Sequence, residues 1–387
     1  MKNIDIFFAL LRNIFSGMPV NEQIKKEAEE KAEKLYTIAK YHDLAHLLSC
    51  AFEKAGICVA DEDLKRKINK AFKVAVVRHE RTGYEQKYVS DVLEDNNVEY
   101  VLLKGAVVRN MYPEPWMRTS CDIDILVKEE ERDKAVEILT KQHGFVMNEV
   151  GTHDVSLTAQ SGTHVELHYK LNEDFYKNSA DELLKNVWET FESNHSDLPE
   201  KKMSDELYYY YHIYHMAKHF EVGGCGIRPF LDLWFLNHKT NFDKQKRDEL
   251  LEKGGIKKFE ETCLALSEYW FSGTEETELL LRFQAFILNG GTYGNKKNGV
   301  ALRQSKSGSK LKYIFSRVFL PYDMLKNHYP VLEKHKYLTP VFEVVRWFKL
   351  VNPITYKRSK RELELTSKVP DSKTGELSTL LSDIGLK

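Results

Sequence analysis

The stretch whose reading decides the fold is Cys121-Asp122-Ile123-Asp124-Ile125-Leu126-Val127. It is short, β-branched and alternating, which predicts a strand. Strand side chains alternate between faces. Asp122 and Asp124 therefore share one face, while Ile123, Ile125 and Val127 take the other and enter a core. Two carboxylates about 7 Å apart repel each other when both are ionised and unpaired. A hard divalent cation between them removes that cost, so Mg²⁺ is the simplest chemical expectation.

Upstream, Val98 to Lys104 reads as another strand, and Gly105 opens a predicted helix through Val107, Val108 and Met111, broken by Pro113 and Pro115. A glycine at a strand-to-helix turn lets a phosphate approach the backbone. A helix N-terminus adds free N–H groups and a positive dipole end. Lys104 offers a point charge for a phosphate, and Arg109 or Arg118 a second.

Downstream, Glu129 to Gln142 predicts a helix stopped at Gly144, and Phe145 to Val150 a strand. Val155–Ala159 and Thr163–Tyr169 flank Gln160-Ser161-Gly162, a hairpin signal. In Thr163-His164-Val165-Glu166-Leu167-His168-Tyr169, alternation places His164, Glu166 and His168 together. Glu166 is the third carboxylate that a metal site on Asp122 and Asp124 needs, provided the two strands are neighbours. The two histidines either line that site or sit on a half-exposed sheet; a zinc site from both of them and Glu166 is a lesser alternative.

The flanks are helical. Residues 1–97 carry apolar residues at three- and four-residue spacing, including Ala28, Ala32, Leu35, Ile38 and Ala39, and a long segment from Asp61 to Asp95. Helical spacing returns after about residue 173. There His212, His215 and His219 fall at i, i+3 and i+7, which places them near one face. They are read either as a pocket wall or as a packed interface. Arg228 and Asp232 are spaced as an i, i+4 ion pair, with a place for Arg228 near a triphosphate as the functional alternative. The basic stretch at 296–312 is read as a solvated loop or a phosphate-attracting patch, and Lys357-Arg358-Ser359-Lys360-Arg361 as a solvated run in a polar, partly ordered tail. The expected division is 1–97 helical, 98–172 an α/β core, 173–356 helical and 357–387 tail.

The 387 residues carry 57 Lys and Arg against 58 Asp and Glu, so bulk charge draws the chain to neither nucleic acid nor membrane. The five cysteines have no zinc-site or redox-motif spacing, which fits a reducing, cytoplasmic compartment. No run approaches 18 apolar residues. Met1 to Arg12 is read as an amphipathic helix, interrupted by Asp5 and Arg12, rather than a signal peptide.

The run Leu102-Leu103-Lys104-Gly105-Ala106, Tyr112-Pro113, Arg118 and Asp122-Ile123-Asp124-Ile125-Leu126-Val127 resembles the bacterial uncharacterised nucleotidyltransferase family, within the polymerase-β-like nucleotidyltransferase superfamily. The resemblance extends over about residues 70–350 and matches Glu166 to the later carboxylate, His212, His215 and His219 to a His-rich helix, and Arg228 and Asp232 to a following Arg and Asp. Ala106 stands where the superfamily usually has Gly or Ser, and the 17 positions from Gly105 to Asp122 exceed its common spacing.

The resemblance implies an α+β fold, with a small mixed sheet between N- and C-terminal helical regions. It implies a metal-dependent transfer of NMP from an NTP, ATP foremost, to an acceptor hydroxyl, with release of pyrophosphate. Asp122, Asp124 and Glu166 would hold Mg²⁺ or Mn²⁺ and carry catalysis. Lys104, Gly105, Arg109, Arg118, His215, His219 and Arg228 would bind nucleotide. The acceptor would be a small molecule, a protein side chain or an RNA 3′ end. An inactive nucleotide-binding or scaffolding module, and a nucleic-acid-binding protein using 296–312, are the alternatives.

Overall fold

In a computed structural model, residues 1–172, 179–193, 198–292, 294, 296–307, 310–348, 352, 356, 357, 360, 364 and 370–386 are described. They form two compact units. The first comprises Met1–His215 and Gly226–Leu281; the second comprises Met216–Cys225 and Arg282–Lys387.

The first unit opens with helices α1 (Asn3–Phe15), α2 (Glu22–Glu30), α3 (Ala32–Tyr41), α4 (Ala45–Ala55) and α5 (Glu62–Asp95). Gly56 ends α4 in the left-handed conformation, at φ 68°, the usual service of glycine after a helix. Asp61 caps α5 by accepting from the amides of Asp63 and Leu64.

The mixed sheet follows. Its strands are β1 (Tyr100–Leu102), β2 (Asp122–Val127), β3 (Val146–Val150), β4 (Asp154–Thr158), β5 (His164–His168), β6 (Glu192–Ser193) and β7 (Glu200–Lys202). Their order is β3-β4-β5-β2-β1-β7-β6. β4 and β5 form the predicted antiparallel hairpin. β2 lies parallel to β5 and antiparallel to β1. The sheet extends past residue 172, because β7 adds to β1 from the stretch read as helical.

Ile123, Ile125 and Val127 pack with Val155, Leu157, Val165 and Leu167, under Val89, Val92 and Leu93 of α5. Each such apolar side chain contributes about 1.5–3 kcal/mol on burial. Leu126, on the aspartate face, is also buried, so β2 is covered on both sides. The remaining helices of this unit include α6 (Gly105–Val108), α7 (Arg132–Glu137), α8 (Ser179–Glu182), the first part of α9 (Asp205–Val222), α10 (Arg228–Lys239), α11 (Lys244–Lys253) and α12 (Lys257–Phe271).

In the second unit the stretch expected as a basic loop is helical, over Lys296–Ser307 and Lys310–Val318. Val300, Ala301 and Leu302 are buried and anchor it. Asn295, Gly308 and Ser309 lie outside the described residues. The expected tail contains a helix at Asp371–Asp383, where Leu377, Leu380 and Leu381 are buried. Arg358, Ser359 and Arg361 of its basic run lie outside the described residues. Among the described residues, no helix is long and apolar enough to cross a membrane.

Candidate active site

The register of two parallel strands builds the site. Asp124 of β2 stands opposite Glu166 of β5, and Asp122 opposite His164. Asp124 is 3% exposed. Its Oδ1 accepts from Lys104 Nζ at 2.6 Å and lies 2.9 Å from His168 Nε2. Lys104 Nζ is also 3.7 Å from Glu166 Oε2, and His168 Nε2 is 3.5 Å from the same oxygen. One ammonium thus bridges two carboxylates from neighbouring strands.

Burial opposes charge on Asp124, Lys104 and His168, yet the pairing prevails. Desolvation pushes the Asp124 pKa up, but the adjacent Lys104 and His168 hold it far below the usual carboxylate range. Burial pushes the Lys104 pKa down, and Asp124 reverses that and raises it. The His168 pKa is also raised: burial and Lys104 oppose its charge, and bonds to Asp124 and Glu166 win.

The turn that delivers Lys104 is strained. Lys104 has φ 45° and ψ −119°. The Ala106 amide donates to Leu103 O at 3.1 Å, closing a tight turn around it. That region of backbone space suits glycine at the first central position of a type II′ turn, and a lysine there costs about 1–3 kcal/mol. The Tyr208 hydroxyl of α9 donates to Lys104 O at 2.7 Å and pins the turn.

The helix after this turn corrects an expectation. It is only four residues long, α6 (Gly105–Val108), and continues as a 3-10 turn at Arg109–Met111. The Ala106, Val107 and Val108 amides already bond to Leu103 O and Lys104 O, so the expected row of free N–H groups does not form. Gly105 is closely packed against the protein. A Cβ there would lie 2.6 Å from Arg118 Nη1 and 3.2 Å from Ser120 Oγ.

The expected nucleotide-binding arginines are engaged within the protein. Arg118 is half-buried and grips Asp232, with Nη2 2.9 Å from Oδ2 and Nε 3.2 Å from Oδ1. Tyr112 donates its hydroxyl to the same Asp232 at 2.6 Å. The expected Arg228–Asp232 pair is therefore corrected: Arg228 Nη1 donates to Thr119 O at 3.0 Å and to Asp43 Oδ2 at 3.3 Å. Arg118 reaches Asp232 in a forked geometry, so i, i+4 spacing does not decide the pairing. Arg109 is buried and donates from Nε to Gly105 O at 2.8 Å. Burial, reinforced by Arg118, pushes its pKa down to about 10, and its Nη2 has no hydrogen-bond partner among the described residues.

Among the described residues, the acidic, His and Cys side chains close enough to share an ion are Asp124, Glu166 and His168, with ligand atoms within 4.8 Å of one another. Asp122 stands aside: its Oδ1 accepts from Ser120 Oγ at 2.7 Å. His168 joins Asp124 and Glu166 in that cluster. The signal for it was present, since His168 shares a strand face with Glu166. His164 Nε2 is 2.7 Å from Ser156 Oγ. His215 is half-buried with its ring 6.2 Å from Tyr211. His212 is half-buried with Nε2 2.9 Å from Pro229 O, and desolvation holds its pKa down although Asp232 opposes that. His219 belongs to the second unit.

A strand pair carrying Asp-x-Asp and a facing Glu, fed by a Lys-Gly turn and covered by helices, defines a nucleotidyltransferase-like core. The chain belongs to the uncharacterised nucleotidyltransferase family, whose model matches residues 28–272. The match begins further upstream than the expected residue 70, taking in most of the N-terminal helices, and ends at 272, well short of the expected 350. No curated relative and no solved structure matches the chain.

Proposed function

We propose that the protein transfers an NMP from an NTP, ATP foremost, to an acceptor hydroxyl, releasing pyrophosphate. The observation that carries this is the register that sets Asp124 against Glu166 with one lysine ammonium between them. Family membership supports nucleotidyl transfer as the general activity.

The donor set fits a hard divalent cation, because the bridging ammonium already marks a cation position between two carboxylates. Asp124 and Glu166, joined by Asp122 from the same strand face, would hold Mg²⁺ or Mn²⁺. Such an ion supplies charge neutralisation for an in-line displacement at phosphorus. His168 fixes the Asp124 carboxylate from behind. Glu166 accepts the proton of the acceptor hydroxyl as its oxygen bonds to the α-phosphorus. The bond from that phosphorus to the bridging oxygen breaks, and the electron pair leaves with pyrophosphate. Lys104, on a flexible four-carbon stem, moves from Asp124 to the departing phosphates. Arg109 and Arg118 form a positive layer beneath Gly105 and Ser120.

The test is transfer of label from each α-³²P NTP, with Mg²⁺ or Mn²⁺, into molecules of a cell lysate. Label that appears with the wild type and disappears with Asp124→Asn supports the reading. Intact NTP binding with no labelled product under any condition refutes it.

A further inference from the structure

The sheet-distal half of α5 presents a face that the proposed chemistry does not use. Between Lys65 and Thr82 it carries seven basic residues and one acidic residue, Glu80, in a chain whose overall charge is −1. Lys70, Lys73, Val77, Arg81 and Tyr84 recur at three- and four-residue steps, so they form one stripe. All five are exposed, and the first four border one shallow surface groove. Arg66 pairs with Asp63 at its start. Lys70, Lys73 and Arg81 make no ion pair among the described residues. Tyr84 is 70% exposed, and its ring lies parallel to Tyr88 at 5° with centroids 6.4 Å apart.

The stripe adjoins the site. The C-terminal half of α5 packs beneath β2. Arg78, on its flank, reaches Asp43 at 4.0 Å. Asp43 accepts from the Thr119 hydroxyl at 3.2 Å, next to Ser120, which holds Asp122.

We infer that this stripe docks single-stranded RNA and leads its end toward the carboxylates, which makes RNA the acceptor; the acceptor part rests on the proposed transfer activity. Free cations in a row track a phosphate backbone, and an exposed ring in line with them offers a stacking platform for a base. From Lys70 to Tyr84 the stripe spans about 21 Å, room for several nucleotides. A membrane-surface helix instead turns a broad apolar face of Trp, Phe or Leu to the lipid. Here the face opposite the stripe, with Ile68, Ala75 and Thr82, is buried in the protein. RNA also offers a 2′ as well as a 3′ hydroxyl to a transferase.

The test is fluorescence anisotropy of the full chain with a 5′-labelled, unstructured 20-nucleotide RNA across a salt series. The expected result is salt-sensitive binding. The combined variant Lys70→Glu, Lys73→Glu, Arg81→Glu, with an unchanged circular dichroism spectrum, should weaken it at least tenfold and flatten the log–log salt slope by about 2 (~0.7 for each phosphate no longer neutralised). Tyr84→Ala should cost about tenfold with little change in slope. Asp124→Asn should bind RNA as the wild type does. Equal RNA binding by wild type and triple variant overturns the proposal. So does stripe-dependent binding to phosphatidylserine vesicles without RNA binding, or tighter binding of the matched DNA. Stripe-dependent RNA binding without labelling of RNA would leave the docking surface standing and remove RNA as acceptor.

Discussion

Two buried aspartates in this protein meet opposite fates. Asp232 is answered by a forked arginine, Arg118, and by the Tyr112 hydroxyl. Asp124 is answered by a single lysine that it shares with Glu166, and by His168. Both carboxyl pKa values are held low against burial, by Arg118 at Asp232 and by Lys104 at Asp124. The arginine pair is rigid and geometrically complete, the arrangement of a fixed structural tie. The lysine is a compact charge on a mobile stem, with a second carboxylate within reach. The difference teaches that the same charge balance can serve architecture in one place and exchange in another.

The comparison breaks most sharply in mutants. Asp124→Asn should reduce nucleotidyl transfer by about a thousandfold, roughly 4 kcal/mol, with thermal stability little changed. Steady-state rates and melting curves on one preparation check both halves. Asp232→Asn should do the reverse. It breaks an ion pair whose carboxylate is buried, so denaturant unfolding should show a loss of about 3–5 kcal/mol. Equal stability losses in the two variants would erase the distinction.

Lys104→Met should separate the roles of the lysine. With the internal cation removed, Mn²⁺ should bind about tenfold more tightly by calorimetry, while transfer falls because the departing phosphates lose a charge. A tenfold change is about 1.4 kcal/mol. Unchanged Mn²⁺ affinity would mean that the ammonium does not compete with a metal.

The smallest expected effect concerns the two histidines beside these aspartates. The His212 pKa is lowered by burial, so the native state resists its protonation. Its contribution to stability is complete above the unfolded value of about 6.5 and is lost as pH falls below that. His168, with a raised pKa, has the opposite sign, and its contribution grows as pH falls through that folded value. The melting temperature of His212→Gln should decline less between pH 7 and pH 5 than that of the wild type.

Alternation made much of this legible. The face of Asp122 and Asp124, the core role of Ile123 and Ile125, and the hairpin before Glu166 all follow from period two. The pairing of β2 with β5 did not follow from spacing, because a parallel neighbour more than thirty residues away is a tertiary outcome. Side-chain direction misled at Arg228, where helical spacing suggested Asp232 and the structure gives Asp43. The helix start misled at Gly105, because the Lys104 turn consumes the amides that were expected to be free. The basic surface was sought at 296–312, whereas the exposed stripe lies on α5, where a neutral overall charge conceals it.

The backbone of Lys104 carries a last consequence. A left-handed φ at a lysine sets conformational ease against chemistry. Lys104→Gly relaxes the turn and removes the ammonium together, whereas Lys104→Ala removes the ammonium and keeps the strain. The glycine variant should therefore melt higher than the alanine variant while both lose transfer. A protein under selection for stability alone would place glycine at this position; the lysine is the mark of a trade in which durability has been ceded for work.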